Sequence, residues 1–125
     1  MSGVTLDAGA LIALDRDERK VLVLLARAKE LGARVTVPAT ALAQSIRRPA
    51  KQARLARLIR QPTTDLRSLD AVDASSVGIL LGASRTRDIA DAHVVICAKR
   101  AKQAIVTSDP DDLVRLDPTA SLVRI

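Results

Sequence analysis

The chain has 125 residues, 48% of them hydrophobic, with no Phe, Tyr or Trp. That length and composition fit one domain, residues 1–125, with a core of Leu, Val, Ile and Ala, and they exclude nucleic-acid binding by stacking bases on aromatic platforms. The formal charge of +6 arises from 20 Lys and Arg against 14 Asp and Glu, an excess that suits phosphate contacts and equally serves solubility.

The first strand, Val4-Thr5-Leu6, ends on Asp7, and the residues after it are small and then apolar at helical spacing, which predicts a helix over 8–14. Open parallel sheets bind ligands outside the carboxyl ends of their strands, so Asp7 is a candidate site residue; it is also a good helix N-cap. A second helix is expected from Asp17 and Glu18 to Gly32, and a second strand over 34–37, ended by Pro38. Helices are then predicted over 40–47 and 50–60, separated by Pro49. Arg47, Arg48, Lys51, Arg54, Arg57 and Arg60 fall here with no acidic residue between them. Beside the apolar stripe of Leu55, Leu58 and Ile59 they form an amphipathic basic surface, suited to RNA phosphate, to an acidic partner or simply to solvent.

A third strand is expected over 63–69 and a helix over 70–84. Asp88 and Asp91, three residues apart, then open an apolar helix that continues to residue 101, with both carboxylates on its first turn. A fourth strand over 104–107 leads to Ser108-Asp109-Pro110, where proline suits a first helical position; a last strand covers 121–125. The one cysteine, Cys97, lies among Val94, Val95, Ile96 and Ala98 and reads as a small buried hydrophobe. His93, two residues past Asp91, is rotated off its face and reads as structural or solvent-facing. No apolar run reaches the roughly 18 residues of a membrane span and no charged, apolar leader is present, so a cytoplasmic protein is expected.

Strands alternating with helices imply an α/β architecture with a mainly parallel sheet. Asp7 and Asp109 then emerge at one sheet edge, where Asp88 and Asp91 can approach. Carboxylates so gathered repel unless a cation joins them, and hard oxygen ligands without Cys or His favour Mg²⁺ or Mn²⁺. The competing reading is a set of independent helix caps. A phosphoacceptor domain is disfavoured, because Asp7-Ala8-Gly9 lacks paired acids and Ser108-Asp109-Pro110 lacks a lysine.

Thr5-Leu6-Asp7-Ala8, Val37-Pro38-Ala39 through Leu42-Ala43-Gln44, Asp88-Ile89-Ala90-Asp91-Ala92 and Val106-Thr107-Ser108-Asp109-Pro110-Asp111-Asp112-Leu113 resemble, in order and over nearly the whole chain, the motif blocks of PIN-domain ribonucleases. The resemblance is strongest to VapC-type toxins of toxin–antitoxin pairs. It implies a PIN-like three-layer α/β/α fold, Mg²⁺-dependent cleavage of single-stranded RNA, homodimerisation and an antitoxin that blocks the site. By position it makes Asp7, Asp91 and Asp109 the catalytic metal ligands, with Asp88 and Asp112 as additional acids. Gln44 stands where the family usually has Glu, which removes one charge from the implied site. That substitution opens an alternative, a PIN-fold module that binds RNA or a partner without turnover.

Overall fold

The computed structural model describes residues 3–125. Five strands, β1 (Val4–Leu6), β2 (Val35–Pro38), β3 (Thr64–Arg67), β4 (Ala104–Thr107) and β5 (Leu122–Arg124), form one sheet in the order β3-β2-β1-β4-β5 with every pair parallel. Seven α-helices connect them: α1 (Ala8–Asp15), α2 (Arg19–Glu30), α3 (Ala39–Ser45), α4 (Ala53–Arg60), α5 (Ala71–Ser84), α6 (Ile89–Ala101) and α7 (Pro110–Leu116).

The sheet order fixes the layers. Parallel crossovers are right-handed. The chain steps outward from β1 to β2 to β3 through α1 to α4, then returns past β1 to β4 and β5 through α5 to α7. The two sets of helices therefore cover opposite faces, giving the three-layer α/β/α arrangement. Between β1 and β4 the direction of winding reverses, and such a switch point opens a crevice at the strands' carboxyl ends.

Leu6, Leu11, Leu55, Ile105 and Leu113 are among the fully buried side chains and do the work that aromatic residues do elsewhere. Helix α1 is apolar nearly all round, with Ala10, Leu11, Ala13 and Leu14 buried, because it lies on β1 and β4 and is itself covered by α2, α3 and α4. Among the described residues no helix is long and apolar enough to cross a membrane.

The third strand is shorter than expected, 64–67 in place of 63–69, Pro38 is the last residue of β2, and two expected helices are altered. The helix over 40–47 stops at Ser45, where Ile46 turns to an extended conformation three residues before Pro49. The helix over 50–60 is split into a 3₁₀ turn at Pro49–Lys51 and α4. Gln52 causes the break: its buried side-chain oxygen accepts from the N–H groups of Arg47 and Arg48 (2.9 and 3.0 Å), and its amide donates to the Ser45 carbonyl (2.8 Å). These bonds satisfy backbone groups that neither helix reaches.

Candidate active site

The register brings the first two carboxylates together. Leu6 pairs with Val106, so Asp7 lies level with Thr107 and two residues from Asp109 along the neighbouring chain. Asp7 is only 5% exposed. One of its oxygens caps α1 by accepting from the Ala10 N–H at 2.8 Å, and the Thr107 side chain donates to the carboxylate as well. Burial still raises its pKa above the usual 3.8, and the Asp109 charge adds to the rise. Capping and site chemistry are thus properties of one residue. A methyl group at Gly9 would meet the Ser108 hydroxyl of the β4–α7 loop, which would have to rotate away.

Asp91 completes the group from the first turn of α6. Its pKa is raised to about 7, first by burial and then by the charges of Asp88, Asp7, Asp112 and Asp109. Every acid of the implied site therefore acts on this one carboxyl. Asp112, across the cleft on α7, is likewise raised by Asp109. The five acids play different parts. Asp88 caps α6 through the Asp91 N–H (2.9 Å), whereas Asp109 occupies the cap position of α7 without capping it and is left exposed. Its own N–H instead donates to Thr107 Oγ1 at 2.9 Å. A cavity of about 160 Å³ opens beside the cluster, lined by Asp88, Asp91 and Asp112 and by Arg87 and Arg115.

The donor set fits a hard divalent ion. The acids offer carboxylate oxygens, and a cation would offset both the burial and the mutual repulsion that together raise Asp91 to about 7. The two arginines were not singled out from sequence. Arg87 adjoins Asp88 and Arg115 follows Asp112 by one turn, a spacing that reads locally as surface ion pairing.

Gln44 is exposed on α3 and makes no hydrogen bond to the carboxylates. It lies one turn beyond Thr40 on the same side of the helix, and Thr40 touches His93 of α6. A charge added there acts through solvent, worth about 1 kcal/mol or less on a divalent ion. Gln44→Glu is therefore expected to tighten Mg²⁺ binding no more than about five-fold in a calorimetric titration. A gain near 100-fold would mean that the side chain swings into the cluster when metal binds.

Part of the basic block lies elsewhere. Arg54 and Arg57, with Lys29, rim an apolar groove of about 480 Å³ lined by Leu14, Leu22, Leu25 and Leu58. Val35, Thr63 and Thr64 close its floor, at the amino ends of β2 and β3, so the groove opens at the sheet edge opposite Asp7 and Asp109. Arg54 pairs with Asp17 (3.1 Å), and the Arg47 guanidinium is turned back onto the Ala43 and Ile46 carbonyls. Arg48 and Lys51 are exposed on the connection between α3 and α4.

No protein-family model and no curated protein matches the sequence. Among solved structures, the chain is similar to a chain in the crystal structure of VapBC2 from Rickettsia felis bound to a DNA fragment from their promoter. The two superimpose with a TM-score of 0.68 at 14% sequence identity, over 98% of each chain. The likeness is one of fold and extends over nearly the whole length of both chains.

Proposed function

We propose that the protein is a divalent-metal-dependent endoribonuclease that hydrolyses phosphodiester bonds of single-stranded RNA, acting in the cytoplasm as the toxin of a toxin–antitoxin pair. The observation that carries this reading is the convergence of Asp7, Asp91 and Asp109 at the sheet's switch point, with Asp91 raised to about 7 by burial and then by its acidic neighbours. Those three residues would hold Mg²⁺ or Mn²⁺, with Asp88 and Asp112 at the margin. When bound, the ion supplies Lewis-acid polarisation of the phosphate and an activated water. Asp7 is held rigid for that role by Ala10 and Thr107. Arg87 and Arg115, beside the acids, would neutralise the phosphates of a bound RNA strand. Resemblance to VapC-type toxins and a shared fold with a chain of the VapBC2 structure support the same reading. The test is cleavage of single-stranded RNA by the purified protein, with and without Mg²⁺ or Mn²⁺, together with a metal-dependent rise in melting temperature. Metal binding and RNA binding without cleavage would favour the turnover-free module instead.

The two basic regions take different partners in this scheme. Replacing Arg87 and Arg115 with Ala is expected to weaken RNA binding about ten-fold and to flatten its salt dependence by roughly two counterions. Replacing Arg54 and Arg57 should leave cleavage within about two-fold and instead weaken capture by the antitoxin. Their groove, apolar within and basic at the rim, suits an acidic amphipathic helix. An equal loss of RNA affinity in both double variants would return the Arg47-to-Arg57 block to the RNA path.

Homodimerisation is assigned to α5. From Ala74 to Ser84 this helix has no charged residue, and Val72 and Ile79 stand 63% and 74% exposed. Large apolar side chains in such a row mark an interaction face. Ile79→Glu is expected to convert a dimer to monomers in sedimentation velocity with the melting temperature little changed. A wild-type monomer at micromolar concentration would remove the dimer from the scheme.

A further inference from the structure

We propose that Asp73, His93 and Cys97 form a second metal site, distinct from the acid cleft, that takes Zn²⁺ and clasps α5 to α6. The carboxylate, imidazole and thiol atoms all lie within 4.8 Å of one another, and all three residues are buried. Among the described residues no other group of Asp, Glu, His and Cys is gathered so tightly. The ligand set is borderline-soft, which is Zn²⁺ chemistry and unlike the all-oxygen cleft. His93 and Cys97 stand one turn apart on α6, and Asp73 reaches them from α5.

The geometry is already close to coordination. With bonds of about 2.0 Å to nitrogen and oxygen, a tetrahedral zinc holds those two ligands roughly 3.3 Å apart. His93 Nε2 and Asp73 Oδ2 are separated by 3.3 Å. Each of these ligands also has the outer partner that metal sites require. Thr40 Oγ1 lies 2.7 Å from His93 Nδ1, and Arg100 Nη2 lies 2.9 Å from Asp73 Oδ1, an oxygen with no well-aligned hydrogen bond. Without an ion Oδ2 is hydrogen-bonded to His93 Nε2, a contact that a metal between the two would replace while Oδ1 stays beside the guanidinium.

A way in exists. A cavity of about 300 Å³ reaches Asp73 and Cys97 from solvent and is lined also by Ser68, Asp70 and Arg100. A fourth ligand, water or Asp70, can approach from it. Without a cation the site is quiet, because burial pushes the Cys97 thiol up to about 12 and keeps it protonated. On binding, the Sγ–H proton leaves for solvent and the thiolate sulfur bonds the ion. His93 would coordinate through Nε2, leaving Nδ1–H to donate to Thr40 Oγ1.

Zn²⁺ and Co²⁺ are the probes. The metal-free protein is expected to bind one Zn²⁺ in the presence of millimolar Mg²⁺, and to do so equally when Asp7 and Asp109 are changed to Asn. Co²⁺ should give a thiolate charge-transfer band with tetrahedral visible bands. Cys97→Ala, a small change in a packed position, should abolish that band and weaken Zn²⁺ binding at least about 100-fold, and Thr40→Val should weaken it about 10-fold through the lost outer partner. No thiolate band in the wild type, or unchanged Zn²⁺ affinity in Cys97→Ala, overturns the proposal. Should Cys97→Ala not fold, the wild-type band and its loss in Asp73→Asn decide the matter. Because these readings do not involve RNA or the cleft, they stand or fall apart from the nuclease assignment.

Discussion

Asp7→Asn and Asp91→Asn are each expected to lower metal-dependent RNA cleavage by about 10²- to 10³-fold, the several kcal/mol that a correctly held ion contributes, while making the metal-free protein more stable. The opposite signs come from one cause. In the empty cleft each carboxylate is a like charge among like charges, and in the loaded cleft it is a ligand. Asp91 shows the effect most clearly because its pKa rises from 3.8 to about 7. A group with a folded-state value above its unfolded one contributes stability that is fully present below about pH 4 and lost as pH rises through 7. Such a rise would correspond to roughly 4 kcal/mol in a dry site; Asp91 is half-exposed, and screening reduces this to about 1–2 kcal/mol. Melting curves of the metal-free protein between pH 5 and 8.5 should therefore fall with pH for wild type and flatten for Asp91→Asn. Added Mg²⁺ should reverse the slope, since the ion selects the ionised cluster. A wild-type melting temperature indifferent both to pH in this range and to Mg²⁺ would contradict the site as described.

Gly3→Ala is expected to destabilise the protein by about 2–4 kcal/mol, near 10 °C in melting temperature for a chain of this size. Gly3 has φ +117, outside the range of other residues, and a methyl group there would run into the Arg34 carbonyl. That carbonyl accepts the first hydrogen bond of β1, from the Val4 N–H at 3.0 Å, so it cannot yield without loosening the central strand. Gly32 makes the contrast. It also has a positive φ, but nothing lies within 4 Å of an added methyl; Gly32→Ala should cost only about 1 kcal/mol. Cleavage by folded Gly3→Ala should be near normal, because Gly3 enters β1 at the edge opposite Asp7. Equal stability losses in the two glycine variants would mean that the Arg34 contact is unimportant.

How much of this was legible from residues alone follows from the range of the signals. Helix α6 and strand β4 have the bounds that periodicity predicts, 89–101 and 104–107, because both are strongly apolar and bounded by clear breaks. The break within 50–60 was not legible, since it depends on the buried Gln52 amide bonding groups on both sides of a bend. Asp7, Asp88 and Asp109 look alike locally, each an Asp at a helix start. Only the fold separates a buried cap, an exposed cap and an exposed acid that caps nothing. The amphipathic character of the Arg54–Arg57 helix could be read from spacing, but not that it faces the far edge of the sheet, nor that Arg87 and Arg115 line the acid cleft.

The sequence by itself determined the alternation of strands and helices, the apolar core without aromatic rings and the presence of carboxylates at successive strand ends. These properties depend on residues a few positions apart, within reach of backbone periodicity and capping. Tertiary structure alone decided which acids share a field, that Asp73 of α5 meets His93 and Cys97 of α6, and that a methyl group at Gly3 would strike Arg34. Each of those joins different elements of the fold, and their meeting is set by the handed crossovers that order the sheet as β3-β2-β1-β4-β5.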